Sequence, residues 1–312
     1  MDGRLQVFTG NGHRALAEDI MAVLEAPLGR AAVGAWQDSE THVKLDENIR
    51  GSDVFVIQSL SRPVNHHLME LLIMIDAIRR ASAARVTAVI PYFAYAKQEK
   101  KTSGREPISA SLIANLLMTA GVNRVLTLDM HSPAIEGFFS VPVDHLRSTP
   151  LLAGAFRRMA IDDLVVVSPD AGGVARAEDF RLRTNASLAI ASKKRPSPEQ
   201  SEVLEVVGDV DGKTCVIVDD MISSGGTLVN CANKLVERGA ERVLACASHA
   251  VFSGDAMARI VDSPIERVYV TDSLPIRPED RSEKLEVVTV APLLAEAVMR
   301  IHKDLSISAL FS

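Results

Sequence analysis

The chain has 312 residues, 47% of them hydrophobic and 24% charged, with a formal net charge of −6 at pH 7. That length suits about two domains with full cores, and a negative balance with dispersed basic residues excludes an electrostatic nucleic-acid surface. Met1-Asp2-Gly3-Arg4 lacks an apolar signal region and the longest apolar run, Leu71 to Ile75, stops at Asp76, so a soluble, unexported, cytoplasmic protein away from membranes is expected.

In chain order, short apolar strands are expected at Val54 to Gln58, Val86 to Ile90, Val125 to Leu128, Leu164 to Val167, Cys215 to Val218, Val243 to Ala247 and Arg267 to Val270. Helical patterns separate them, which predicts an α/β fold of βαβ units with mainly parallel sheets flanked by helices. The chain also resembles itself. Gly51 to Ile57 parallels Gly212 to Val218, and after a helix Arg80 to Val86 parallels Arg238 to Val243. Two tandem copies would explain this, and so would generic strand–helix–strand texture. The break is placed near Leu146 to Pro150, after a loop with Pro133, Pro142 and Asp144. This gives an N-terminal domain over 1–147, a C-terminal domain over 148–300 and a tail over 301–312 at an inter-domain or subunit contact. Lys193 to Ser201 is Pro-rich and charged and reads as a mobile loop. Cys215, Cys231 and Cys246 lack metal-ligand spacing and fall in apolar patterns, as reduced core thiols do.

The densest chemistry lies in Val216 to Thr227. An apolar strand runs into Asp219 and Asp220, and Ser223, Ser224, Gly225, Gly226 and Thr227 then open a helix over Leu228 to Arg238. Ligands of open α/β sheets bind at that edge of the strands. Glycines let backbone wrap an anion, the helix N-terminus offers unpaired N–H groups, and the hydroxyls add donors, so a phosphate would be held there. The acids would repel phosphate but suit sugar hydroxyls and a divalent metal. Together they imply a sugar phosphate. The bland alternative is a strand-to-helix turn with an N-cap. Gly208 to Thr214 looks like a nucleotide P-loop, but it has one residue too few between its glycines and precedes a strand.

With these residues in hand, the chain resembles ribose-phosphate diphosphokinases, the phosphoribosyl pyrophosphate synthetases of the hexameric bacterial and animal type. The resemblance covers nearly the whole length. It runs through Thr9 to Gly12, Val54 to Ser59, Leu68 to Leu72, Ala88 to Phe93, Arg105 to Ile108, Asp129 to Ser132, Gly137 to Phe139, Ser168 to Gly173 and Ser306 to Phe311. It implies two tandem phosphoribosyltransferase-like domains. It also implies transfer of a diphosphoryl group from ATP to the anomeric hydroxyl of ribose 5-phosphate, giving phosphoribosyl pyrophosphate and AMP.

By resemblance, Asp219 and Asp220 lie by the ribose and its metal, and Ser223 to Thr227 hold the 5-phosphate. Lys193 and Arg195 close over the reacting phosphates, and Arg195 also meets ribose 5-phosphate. His131 and Asp170 bind Mg²⁺. Trp36, Asp38 and Glu40 meet adenine from one subunit, and Lys97 and Gln98 from its neighbour, in a homo-oligomer built as a hexamer of dimer units. Each residue also has an ordinary use: turn former for His131 and Asp170, solvated charge for Lys193 to Arg195, half-buried core anchor for Trp36.

The chain departs from the family pattern in places. Trp36-Gln37-Asp38-Ser39-Glu40 stands for Phe-Ser-Asp-Gly-Glu, and Lys97-Gln98-Glu99 for Arg-Gln-Asp. A lysine cannot stack flat on adenine as a guanidinium can, so altered ATP affinity is expected. Ser223 replaces a common acid, and Ala134 a glutamine near the regulatory region. A phosphoribosyltransferase would share the acid-acid-glycine loop but usually needs one copy of the fold. A non-catalytic regulatory paralogue would have no chemical reason to retain His131, Asp170, Lys193 and Arg195.

Overall fold

Strands buried on both faces set the architecture, as runs such as Asp53–Ile57 and Leu164–Ser168 are buried at every position. The computed structural model describes residues 3–194 and 203–310, and only the backbone at Lys193, Lys194 and Val203. The chain divides into Met1–Arg147 with Ser273–Pro275 and Val290–Ser312, and Ser148–Asp272 with Ile276–Thr289.

The first unit contains β1 (Leu5–Thr9), α1 (Arg14–Val23), β2 (Ala31–Ala35), β3 (Thr41–Leu45), β4 (Asp53–Ile57), α2 (Val64–Arg80), β5 (Arg85–Ile90), α3 (Ser109–Ala120), β6 (Arg124–Leu128) and β7 (Val143–Leu146). Its main sheet has the order β1-β4-β5-β6-β7 with every pair parallel. The face of α2 carrying Leu68, Leu71, Ile75 and Ile78 is buried, while Arg79 and Arg80 fall in its last turn, where cations suit the helix dipole. Separately, β2 and β3 form an antiparallel hairpin.

In the second unit follow α4 (Thr149–Met159), β8 (Leu164–Ser168), α5 (Val174–Thr184), β9 (Ser187–Lys194), β10 (Val203–Val207), β11 (Thr214–Ile222), α6 (Gly226–Glu237), β12 (Arg242–Ala250), α7 (Ala256–Val261), β13 (Ile265–Thr271) and β14 (Leu285–Val288). The sheet order is β10-β9-β8-β11-β12-β13-β14, with β9 and β10 antiparallel and the other pairs parallel. Helix α8 (Ala291–His302) then belongs to the first unit.

The spine β8-β11-β12-β13-β14 repeats the order β1-β4-β5-β6-β7. The entry turn repeats too. Gly51, at φ 71°, donates its N–H to Ser82 O at 2.9 Å, and Gly212, at φ 67°, donates to Gly239 O at 2.8 Å. Next along, Ala84 N donates to Ser52 O and Glu241 N to Lys213 O. Bond-for-bond repetition favours two copies over generic texture. The copies differ at the ligand edge. In the first, Glu70 is fully buried and accepts from Asn11 Nδ2 at 2.7 Å and from Gln58 Nε2 at 2.8 Å, while Gly12 N donates to Gln58 Oε1. There Asn11, Gln58 and Glu70 satisfy one another.

Several expectations need correction. The second domain was expected to reach residue 300, but it ends at Thr289 and α8 returns to the first unit. The cause is long-range: Leu294, Val298 and Ile301 are buried, Arg85 Nη2 donates to Ile301 O at 2.8 Å, and His302 Nδ1 pairs with the fully buried Asp53 at 2.9 Å. Strand β11 runs on through both acids to Ile222, because β12 continues to pair with it as far as Ile222↔Ala250. The next helix starts at Gly226 and ends at Glu237. Lys193 lies in strand β9, opposite Leu204, rather than in a loop, whereas Arg195 to Ser201 fall outside the described residues. The P-loop look-alike is a turn leading into β11, as its order before a strand required. Cys215, Cys231 and Cys246 are buried and free. Among the described residues no helix is long and apolar enough to cross a membrane.

Candidate active site

The site is built on β11. Its pairing with β8 stops at Ile217↔Val167, so Asp219 and Asp220 stand beyond the end of β8 while β12 still supports their other side. Asp220 is buried and Asp219 half-buried. Burial pushes the Asp219 carboxyl up to about 7, the hydrogen bond and charge of Asp220 add to this, and Arg176 opposes it. Arg176 Nη1 reaches Asp219 Oδ1 at 3.2 Å and its Nη2 lies 3.7 Å from Asp220 Oδ1.

After the acids, the chain turns through Ser223 and Ser224 into α6. Gly225 takes φ 76°, which a side chain would strain, and a Cβ there would lie 3.3 Å from Ala256 O. No side chain caps the N-terminus of α6, so its first N–H groups and the positive end of its dipole face outward, as an anion requires. Ser253 N donates to Ser223 O at 2.9 Å, and the Ser223 and Ser253 hydroxyls are 3.0 Å apart. Ser224 and Thr227 are exposed, with their hydroxyls at the same turn.

Asp170 follows the C-terminal end of β8, at the same sheet edge. Its Oδ1 accepts from Gly173 N at 2.9 Å, and Ser168 Oγ donates to Asp170 O at 2.7 Å. A Cβ on Gly173 would meet Ser168 Oγ at 2.9 Å, so a side chain there would push aside the hydroxyl that donates to Asp170 O. Asp170, Arg176, Asp219, Asp220 and the Ser223–Thr227 turn are therefore one cluster within the second unit. The sequence reading missed Arg176, although it lies just after the Ser168 to Gly173 motif.

Within the first unit, His131 comes just after β6, and Lys97 and Gln98 lie on a turn at Ala96–Gln98 after the neighbouring β5. His131, Lys97 and Gln98 are exposed. Ser109 Oγ donates to Gln98 Oε1. Trp36, Asp38 and Glu40 occupy the β2–β3 hairpin turn. Trp36 is 58% exposed and meets His42 edge-on, with ring centroids 4.4 Å apart. This rules out a core anchor. Trp36 N donates to Glu40 O at 2.8 Å and Glu40 N to Asp38 Oδ1 at 3.1 Å, which fixes the turn.

No group of three His, Cys, Asp or Glu side chains suited to a metal forms among the described residues. Taken separately, Asp170 offers a single carboxylate and His131 a single imidazole. A lone carboxylate oxygen such as that of Asp170 is a hard donor of the kind Mg²⁺ accepts while it retains waters and takes substrate phosphates as its other ligands.

Two family models match the chain: the N-terminal domain of ribose phosphate pyrophosphokinase over residues 5–121, and the phosphoribosyl synthetase-associated domain over residues 184–312. The ribose-phosphate pyrophosphokinase of Clostridium tetani is 50% identical, with 98% of this chain and 97% of that one covered. That of Listeria ivanovii is 51% identical, with 99% and 98% covered. The crystal structure of phosphoribosylpyrophosphate synthetase from Mycobacterium smegmatis matches with a TM-score of 0.92 at 42% identity, covering 96% of this chain and 99% of that one. With acids and an open helix N-terminus at one sheet edge, and this likeness along its length, the chain belongs to the ribose-phosphate pyrophosphokinase family.

Proposed function

We propose that the protein transfers the diphosphoryl group of ATP to the C1 hydroxyl of ribose 5-phosphate, giving phosphoribosyl pyrophosphate and AMP for nucleotide biosynthesis. The observation that carries this reading is the pair Asp219–Asp220 held by Arg176 beside the uncapped N-terminus of α6. The acids accept hydrogen bonds from ribose hydroxyls. Ser223, Ser224, Gly225, Gly226 and Thr227 receive the 5-phosphate. The C1 oxygen attacks the β-phosphorus of ATP and loses its proton, the bond from that phosphorus to the bridging oxygen breaks, and AMP leaves with the oxygen. Positioning and charge neutralisation supply most of the rate in such transfers.

Lys193, at the end of β9, and Arg195 meet the reacting phosphates and stabilise the charge that grows on the bridging oxygen. Charge neutralisation at the phosphate oxygens is also what bound Mg²⁺ supplies, with His131 and Asp170 as its protein contacts. Adenine stacks on Trp36, with Asp38 and Glu40 reading its exocyclic amine. Lys97 and Gln98 come from a neighbouring subunit of a cytoplasmic homo-hexamer of dimer units, which sedimentation at several concentrations would test.

The deciding experiment incubates the protein with ATP, Mg²⁺ and ribose 5-phosphate. AMP and phosphoribosyl pyrophosphate in equal amounts are expected. ADP as the sole nucleotide product would indicate an ordinary kinase. No product would indicate a regulatory paralogue, and pyrophosphate released from phosphoribosyl pyrophosphate plus a base would indicate a phosphoribosyltransferase.

A further inference from the structure

We infer that His145 is a positioning residue that fastens the turn carrying His131 on both sides through one neutral imidazole. The inference rests on the reading of His131 as a metal contact. His145 lies on β7 with its side chain 3% exposed. Met130 N donates to its Nε2 at 2.7 Å. Nε2 is therefore the bare nitrogen, and Nδ1 carries the hydrogen donated to Glu136 Oε1 at 2.6 Å. Met130 immediately precedes His131, and Glu136 lies on the turn Pro133–Phe138 that follows it. One ring thus grips the chain before and after the candidate ligand.

The turn needs such a grip. Asp129 takes φ 37°, in a region that side chains disfavour. Its N–H donates to Leu146 O at 3.0 Å, and Arg147 Nη1 stands 4.0 Å from its Oδ1. Arg147 Nη1 also lies 3.0 Å from His145 Nε2. With two donors aimed at that nitrogen, a protonated ring would be opposed. Burial and the Arg147 charge accordingly push the imidazole pKa down, against the pull of Glu136 and Asp129.

A buried histidine could instead act only as core filling, and two substitutions separate the roles. His145→Gln keeps an acceptor within reach of Met130 N, whereas His145→Leu fills the space without one. Hydrogen exchange at the Met130 amide is measured in the ligand-free protein. The Mg²⁺ requirement for binding a non-hydrolysable ATP analogue is measured by titration, with thermal melting in parallel. His145→Leu should speed Met130 exchange about tenfold and raise the Mg²⁺ requirement about fivefold, with ribose 5-phosphate affinity unchanged, as loss of one hydrogen bond predicts. His145→Gln should recover most of both. His131→Ala should raise the Mg²⁺ requirement while Met130 exchange stays slow. If His131→Ala shifts the requirement and His145→Leu does not, the positioning role falls and the metal reading stands. An unshifted requirement in His131→Ala removes both. Equal losses in the Leu and Gln variants that follow melting temperature would reduce His145 to core filling.

Discussion

Arg176 Nη1 lies 3.2 Å from Asp219 Oδ1, so a cation on α5 partly offsets the crowding of two carboxylates at the end of one strand. The same contact sets a pH dependence. Asp219 sits at about 7 even with Arg176 present, so binding that needs the ionised acid weakens as pH falls through 7. Arg176→Ala removes a contribution that lowers this value, and the acid limb of kcat/KM for ribose 5-phosphate should move upward. At pH 7 the KM should rise about tenfold, as loss of a charged hydrogen bond predicts. A profile identical to the parent's would separate Arg176 from the sugar site.

Asp219→Asn should abolish tight ribose 5-phosphate binding while sparing ATP, and should stabilise the fold. The carboxyl rises from 3.8 unfolded to about 7 folded. The folded state then holds more protons than the unfolded state between those values, and stability falls as pH rises through that window. Asparagine removes this slope. At pH 8 the variant should be more stable by on the order of 2 kcal/mol, after solvent screening of a partly exposed group, and the gain should vanish near pH 4. Melting curves at both pH values check this, and a variant less stable at pH 8 would contradict the burial cost assigned to Asp219.

If Lys193 meets the reacting phosphates as proposed, Lys193→Ala removes a contact made chiefly as charge develops on them. Turnover should fall about 10²- to 10³-fold with little change in substrate affinity. Steady-state kinetics with both substrates varied test this, and near-normal turnover would remove Lys193 from the mechanism. Arg195→Ala should behave similarly without simple additivity.

Trp36 is the only tryptophan and is 58% exposed, so its fluorescence reports the hairpin turn alone. ATP should change that emission saturably and ribose 5-phosphate weakly. Stacking of a base on an aromatic is worth about 1–3 kcal/mol, so Trp36→Ala should weaken ATP by roughly one to two orders of magnitude, with Trp36→Phe restoring most of it. Unaltered emission at saturating ATP, with normal affinity in the alanine variant, would place adenine elsewhere.

The sequence by itself determined the α/β class, the repeated βαβ texture and the stretch that carries Asp219, Asp220 and the Ser223–Thr227 turn. Central strands buried on both faces leave continuous apolar runs such as Val216 to Val218, and a phosphate turn needs its glycines and hydroxyls side by side in the chain. Only the tertiary structure decided which polar groups meet across long separations. Arg176 reaches Asp219 from 43 residues away, and His302 reaches Asp53 from 249 residues away, which drew α8 out of the expected second domain. It also carried β11 through both acids, because a strand's end is set by how far its neighbour continues to pair. The β2–β3 hairpin escaped the pattern because its strands are half-buried at best and alternate weakly. Local spacing records backbone geometry and burial, whereas partners for buried charge are chosen only once the strands and helices have packed.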